Sequence, residues 1–322
     1  MLTDFPHEVT VRKQTYGGDI SPEAIEYPAG QLSQRREMVL LIHGFNVDAC
    51  DAGCSYDLFL ENADPPLRNR AVQVYWPGDV VSRFIRAGQR PGLWSKVVSA
   101  IHYPSQRQHA VQTAQLLSDI ISSSLNGRPN VRLSIVAHSL GCRVALELLV
   151  LLSALKNTKQ ISIPLAILMA PAVPRYLVLP GGHLKTALRI PDRILLYRSL
   201  NDSVLQFVFR PGQALERPFP EGWPLSTRTA LGRHGMGLTR PPNVTEIEAT
   251  CGHGGYWPDP DIAYEAGRIV FGASRTLLRR DSVSKVSSYT NQRIGRQLLG
   301  RTLKERSLLS RVRKPCDACK PA

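Results

Sequence analysis

The stretch Leu133-Ser134-Ile135-Val136-Ala137-His138-Ser139-Leu140-Gly141-Cys142 constrains this chain more than any other: an apolar strand pattern ends abruptly in a small-x-Ser-x-small turn, and a helix pattern follows at once. A serine placed so tightly between strand and helix takes a strained backbone conformation. The residues two before and two after it must then be small, or they strike the neighbouring strand and helix. Ala137 and Gly141 meet that demand, with Ala standing where Gly is more usual. The pattern is that of a nucleophile elbow, and it makes Ser139 the first candidate for chemistry.

The surrounding sequence alternates strands and helices. Met38-Val39-Leu40-Leu41-Ile42 reads as a strand running straight into His43-Gly44-Phe45-Asn46, and residues 48–62 read as the helix after it. Residues 71–76 are the next strand, closed by Pro77-Gly78. A helix over 106–124 carries Val111, Ala114, Leu116, Leu117 and Ile120 at helical spacings, and the turn 126–130 leads into the elbow strand. Residues 163–169, 193–197 and 244–250 are three further strands, and 262–271 an aliphatic helix. Such alternation predicts an α/β fold, a mainly parallel sheet with helices on both faces. With 322 residues, 43% of them hydrophobic, the chain has material for one large core.

Three of these segments carry a resemblance. Ile42-His43-Gly44-Phe45-Asn46, Val74-Tyr75-Trp76-Pro77 and Ala137-His138-Ser139-Leu140-Gly141 make the chain similar to the α/β-hydrolase superfamily, and within it to a bacterial group of α/β-hydrolase domains of unknown function. The likeness spans roughly residues 35–274. It implies the α/β-hydrolase fold and a serine-hydrolase site, and it supplies no substrate. In that fold the turn after the HG strand and the residue after the nucleophile present backbone N–H groups to an oxyanion, which here are those of Phe45 and Leu140.

The superfamily's chain order is serine, acid, histidine. The acid follows the strand 193–197, where Ser199-Leu200-Asn201-Asp202 offers Asp202; Asp192, which precedes that strand, is the alternative. The base follows the last strand, in Cys251-Gly252-His253-Gly254-Gly255, whose glycines let His253 swing towards Ser139. His138 is expected to point away into the fold. His234 precedes the last strand, His102, His109 and His183 sit in covering segments, and His7 lies near the start. The expected reaction is a two-step acyl transfer on an ester, carboxylesterase- or lipase-like, through an acyl-enzyme intermediate. A thioesterase or acyltransferase would use the same residues, and a non-catalytic scaffold of the same fold is the reading of a different class.

No cofactor and no metal is implied, since H-E-x-x-H, Walker A and G-x-G-x-x-G patterns are missing from the sequence. Cys50, Cys54, Cys142 and Cys251 read as free thiols. Cys316-x-x-Cys319 has no second pair at a spacing suited to zinc. The segment 171–191 is too modest for a large independent lid domain, so 79–103 and 206–241 are the expected substrate walls.

Charge divides the chain. Residues 275–322 hold 13 of the 40 Lys and Arg but 3 of the 26 Asp and Glu, so +10 of the +14 net charge lies there. This leads to a division into an N-terminal arm (1–34), a catalytic domain (35–274) and a basic C-terminal tail (275–322). The tail suits contact with an anionic membrane surface or nucleic acid, and equally a solvated extension or a packed helix. The expected partner of the body is a small-molecule or lipid ester; nothing sets the oligomeric state. The start lacks a basic n-region and an apolar h-region, and the longest apolar run, 144–155, contains Glu147 and is shorter than the roughly 20 residues of a membrane span. A cytoplasmic location is therefore expected, with peripheral membrane attachment through the tail as the variant of it.

Overall fold

The computed structural model describes residues 6–13, 19–78, 93–125 (side chains from 106 onward), 127–207, 209 and 229–271. Among these, nine strands form one sheet: β1 (His7–Arg12), β2 (Ile20–Tyr27), β3 (Glu37–Ile42), β4 (Ala71–Tyr75), β5 (Val131–His138), β6 (Ile161–Ser162), β7 (Leu165–Met169), β8 (Arg193–Arg198) and β9 (Val244–Glu248). Their order is β2-β1-β4-β3-β5-β7-β8-β9, with β6 beside β5. β1 and β2 pair antiparallel; the remaining pairs are parallel.

The central strands read as near-continuous apolar runs because both of their faces are covered. Residues 38–42 of β3, all of β4 and all of β7 are buried, as is β5 apart from Arg132. The helices are α1 (Ala49–Glu61), α2 (Pro65–Arg68), α3 (Leu93–Leu125), α4 (Gly141–Asn157), α5 (Arg175–Val178), α6 (Ser203–Phe207), α7 (Leu231–His234) and α8 (Pro260–Phe271). Parallel crossovers are right-handed. α1 carries the chain from β3 to β4 and α4 carries it from β5 to β7, in opposite directions across the sheet, so the two lie on opposite faces. Packing agrees: α3 lies against α4 on one face, and α1 and α2 lie against α8 on the other.

Three local features differ from the sequence reading. Residues 7–12 and 20–27, inside the segment read as an arm, are strands of the main sheet. β2 is an edge strand carrying Pro22, Glu23 and Glu26, which an edge tolerates and which mask the strand pattern. On α3 the buried stripe is Ala110, Ala114, Leu117, Ile121 and Leu125, while Val111 is exposed. Cys54, Cys142 and Cys251 are free thiols, but Cys50 is disulfide-bonded.

The segment 171–191 holds only α5 and a short 3-10 turn, Thr186–Arg189. No helix among the described residues is long and apolar enough to cross a membrane. The basic tail, Cys316 and Cys319, and most of the two expected substrate walls lie outside the described residues.

Candidate active site

The chain leaves β3 in one direction and β5 in the other, so the carboxyl ends of these adjacent strands form a topological switch point, the place where open α/β sheets bind ligands. Both HG turn and elbow are there. Ser139 has φ +53°, a left-handed conformation rare for a residue with a Cβ. Its N–H donates to Met169 O at 2.9 Å and its carbonyl accepts from Ala172 N at 3.0 Å, which ties the strained turn to the end of β7.

The two turns touch backbone to backbone. A Cβ on Gly141 would lie 2.2 Å from His43 O and 2.7 Å from Ile42 O, and a Cβ on Gly44 would lie 2.9 Å from Ser139 Cβ. Glycine is therefore required at both positions by space, not by conformation.

Asp202 follows β8 and is fully buried. Its Oδ1 accepts from Leu205 N at 2.9 Å, which caps α6, and its Oδ2 accepts from His253 Nδ1 at 2.7 Å. His253 Nε2 lies 2.9 Å from Ser139 Oγ. With Nδ1 carrying the proton donated to Asp202, Nε2 is left to accept from the serine hydroxyl. Burial by itself would raise the Asp202 carboxyl, but the hydrogen bond and charge of His253 and the Leu205 N–H together hold it below the usual range. The alternative acid, Asp192, sits before β8, 63% exposed and ion-paired with Lys156 at 3.1 Å, and is not brought to this cluster.

The HG turn is braced by the end of β4. His43 is fully buried: Nδ1 donates to Gly44 O at 2.9 Å and Nε2 accepts from Trp76 N at 3.3 Å, so both ring nitrogens are used by a neutral imidazole. Burial pushes its pKa down to about 3. Trp76 Nε1 donates to His43 O at 2.8 Å, and Tyr56 OH bridges His43 N and Val74 O. Asn46, at φ +60°, donates its N–H to Gly78 O at 2.6 Å. The N–H groups of Phe45 and Leu140 donate to no other described residue, and α4 begins at Leu140 without a side-chain cap.

The sequence reading missed His138. Instead of pointing away, its Nε2 donates to His253 O at 2.7 Å, and the two rings lie 4.9 Å apart between centroids. Tyr256 and Trp257, just before α8, pack on the same ring. Burial, then the charge of His253, lowers the pKa of His138 to about 3, so it stays neutral. Period-2 alternation along β5 held the signal: it turns His138 to the face opposite Ala137, where the loop after β9 packs.

An arrangement of this kind can move the serine proton to imidazole, with the carboxylate stabilising the imidazolium that results. Among the described residues no group of three His, Cys, Asp or Glu side chains stands ready to hold a metal.

A model of the family described as alpha/beta hydrolase of unknown function (DUF900) matches residues 29–217. Among solved structures, the chain is similar to carboxylesterase CesB (YbfK) from Bacillus subtilis, with 10% identity over 84% of this chain and 94% of that one and a TM-score of 0.36. It is also similar to MenH from S. aureus, with 12% identity over 80% and 95% and a TM-score of 0.34. No curated protein matches.

Proposed function

The chain belongs to the alpha/beta hydrolase family of unknown function, and on that premise we propose that it is a serine hydrolase cleaving a carboxylic ester with Ser139, His253 and Asp202. The observation that carries this reading is the unbroken hydrogen-bond line from Asp202 through His253 to Ser139, at 2.7 and 2.9 Å. His253 Nε2 takes the hydroxyl proton as Ser139 Oγ attacks the ester carbonyl. Asp202 stabilises the imidazolium without itself taking the proton. The N–H groups of Phe45 and Leu140, uncommitted among the described residues, receive the negative oxygen of the tetrahedral intermediate. Collapse of that intermediate expels the alcohol, protonated by His253, and leaves an acyl-Ser139. Water, activated by the same imidazole, releases the acid and restores the serine.

The test is labelling with a fluorophosphonate probe beside hydrolysis of p-nitrophenyl acetate, on wild type and Ser139→Ala. Wild type should label and turn over, and the variant should do neither. An unlabelled wild type would return the chain to the non-catalytic scaffold reading, and a labelled Ser139→Ala would move the nucleophile to another residue.

A further inference from the structure

At the opposite edge of the sheet from Ser139, the amino-terminal ends of β3, β4 and β5 enclose a concavity of roughly 520 Å3 lined by four arginines. Parallel strands entering side by side explain how it forms. Arg35 and Arg36 precede β3, Arg70 ends the turn into β4, and Arg132 is the second residue of β5, in register with Glu37. We propose that this concavity is a binding site for a phosphate-bearing anion, separate from the serine site.

Glu37 is the one carboxylate among the residues that line it, and it is shared: Arg70 Nε lies 2.6 Å from its Oε2 and Arg132 Nη1 3.4 Å from its Oε1. Arg36 is exposed and makes no side-chain hydrogen bond or ion pair among the described residues. Glu26 acts on Arg35 from the side, but that carboxylate already accepts from His7 and from the Gly30 and Leu32 amides. Positive charge is therefore in excess here. Burial lowers the pKa of Arg35, and the charge of Arg70 adds to that while Glu26 opposes it.

The guanidiniums are also pre-oriented. Arg35 Nη1 donates to Asn69 O at 2.8 Å, Arg70 Nη1 to Pro66 O at 3.0 Å and Arg132 Nη2 to Val270 O at 2.8 Å. Arg70 also stacks on the Phe271 ring at 4.7 Å. Each backbone carbonyl uses one N–H and fixes the fork, and the side chains of Arg70 and Arg132 remain 36% and 44% exposed. The side chains of Asn69 and Asn130 add exposed amide groups. A lining rich in donors and poor in acceptors matches a ligand that carries more than one negative charge and several acceptor oxygens. A single carboxylate neutralises one fork; a phosphate bridges two or three.

The test uses the full chain, so that the charge of residues 275–322 is present in every sample. Pyrophosphate is titrated calorimetrically in chloride buffer, and in parallel the protein is sedimented with phosphatidylcholine vesicles with and without phosphatidic acid. Wild type should bind, Arg36→Gln/Arg132→Gln should bind about tenfold more weakly or less, and Glu37→Gln should bind several-fold more tightly, because a competing charge is gone. Gain of affinity is a result that damage to the fold does not produce. Should the double variant unfold, Arg36→Gln alone, which loses no side-chain hydrogen bond or ion pair among the described residues, carries the comparison. The variant pattern in the pyrophosphate arm alone identifies a soluble ligand; the same pattern in sedimentation identifies a lipid headgroup. Binding to neither probe, equal binding by all variants, or weaker binding by Glu37→Gln would overturn the proposal.

Discussion

His138 donates its Nε2 proton to the backbone carbonyl of His253 at 2.7 Å, so the residue before the candidate nucleophile holds the loop that carries the candidate base. Neither Ser139 nor a substrate need touch His138 for this to matter. A displacement of about 1 Å in the base is enough to lower a rate by roughly a hundredfold.

His138→Ala is therefore expected to lower kcat on a soluble ester by about ten- to a hundredfold and leave KM nearly unchanged. His138→Gln, which retains an N–H donor, should recover part of the loss. Equal damage by both variants, or a change confined to KM, would mean that the ring only fills space.

At Ser139 the backbone makes its own prediction. A left-handed residue with a Cβ carries a strain of about 1–2 kcal/mol, and glycine carries little. With φ at +53°, Ser139→Gly should be as inactive as Ser139→Ala yet more stable than it, by up to about 1 kcal/mol after the extra chain entropy of glycine is discounted. Urea melts of the two variants decide; a more stable alanine variant would contradict a strained elbow.

Much of this could be read from residues alone, and where it could not the reason is physical. The strand-HG and strand-Ser-helix junctions are legible because backbone crowding restricts them: Gly44 and Gly141 tolerate no Cβ against Ser139 and His43. Asp202 and His253 followed from chain order, and their hydrogen bonds from the structure. β1 and β2 were hidden because an edge strand accepts Pro22 and its glutamates, and the arginine concavity because its residues come from three separate strand ends. Sequence periodicity sees one element at a time.

The two candidate acids separate cleanly. Asp202→Asn keeps the shape but no longer favours the tautomer with Nδ1 protonated, so kcat should fall by a factor on the order of a thousand or more. Asp192→Asn removes only a surface pair with Lys156 and should leave turnover unchanged. The reverse result would give the role to Asp192.

Gly141→Ala should be among the most damaging single-methyl changes in the described residues. The added Cβ would lie 2.2 Å from His43 O, a backbone atom that moves only if β3 and the first turn of α4 separate. Destabilisation of about 2–3 kcal/mol or more is expected from overpacking of this kind, whereas Gly252→Ala, beside His253 and with nothing within 4 Å, should cost little. Thermal melts of the two side by side are the measurement, and equal melting points would refute the close approach.

Acid should weaken the fold through its buried histidines, His43 and His138 foremost, before the Asp202 carboxylate titrates. His43 and His138 are buried, and burial lowers each from 6.5 to about 3 in the folded chain. Between those values the unfolded chain binds two protons that the folded one does not. Stability from this source is complete above the unfolded pKa and is lost as pH falls, with a limiting slope of about 2.7 kcal/mol per pH unit for two protons. Asp202 acts in the same direction but lower: its depressed carboxyl withdraws its stabilisation only below the ordinary carboxylate range. Urea unfolding of wild type from pH 7 to 4 should show the steep fall beginning near pH 6. His138→Gln, which has no proton to exclude, should lower the slope by about 1.4 kcal/mol per pH unit at the cost of some stability at pH 7. A slope unchanged by that substitution would mean that His138 protonates in the folded chain, and the hydrogen bond to His253 would then have to survive a charged ring.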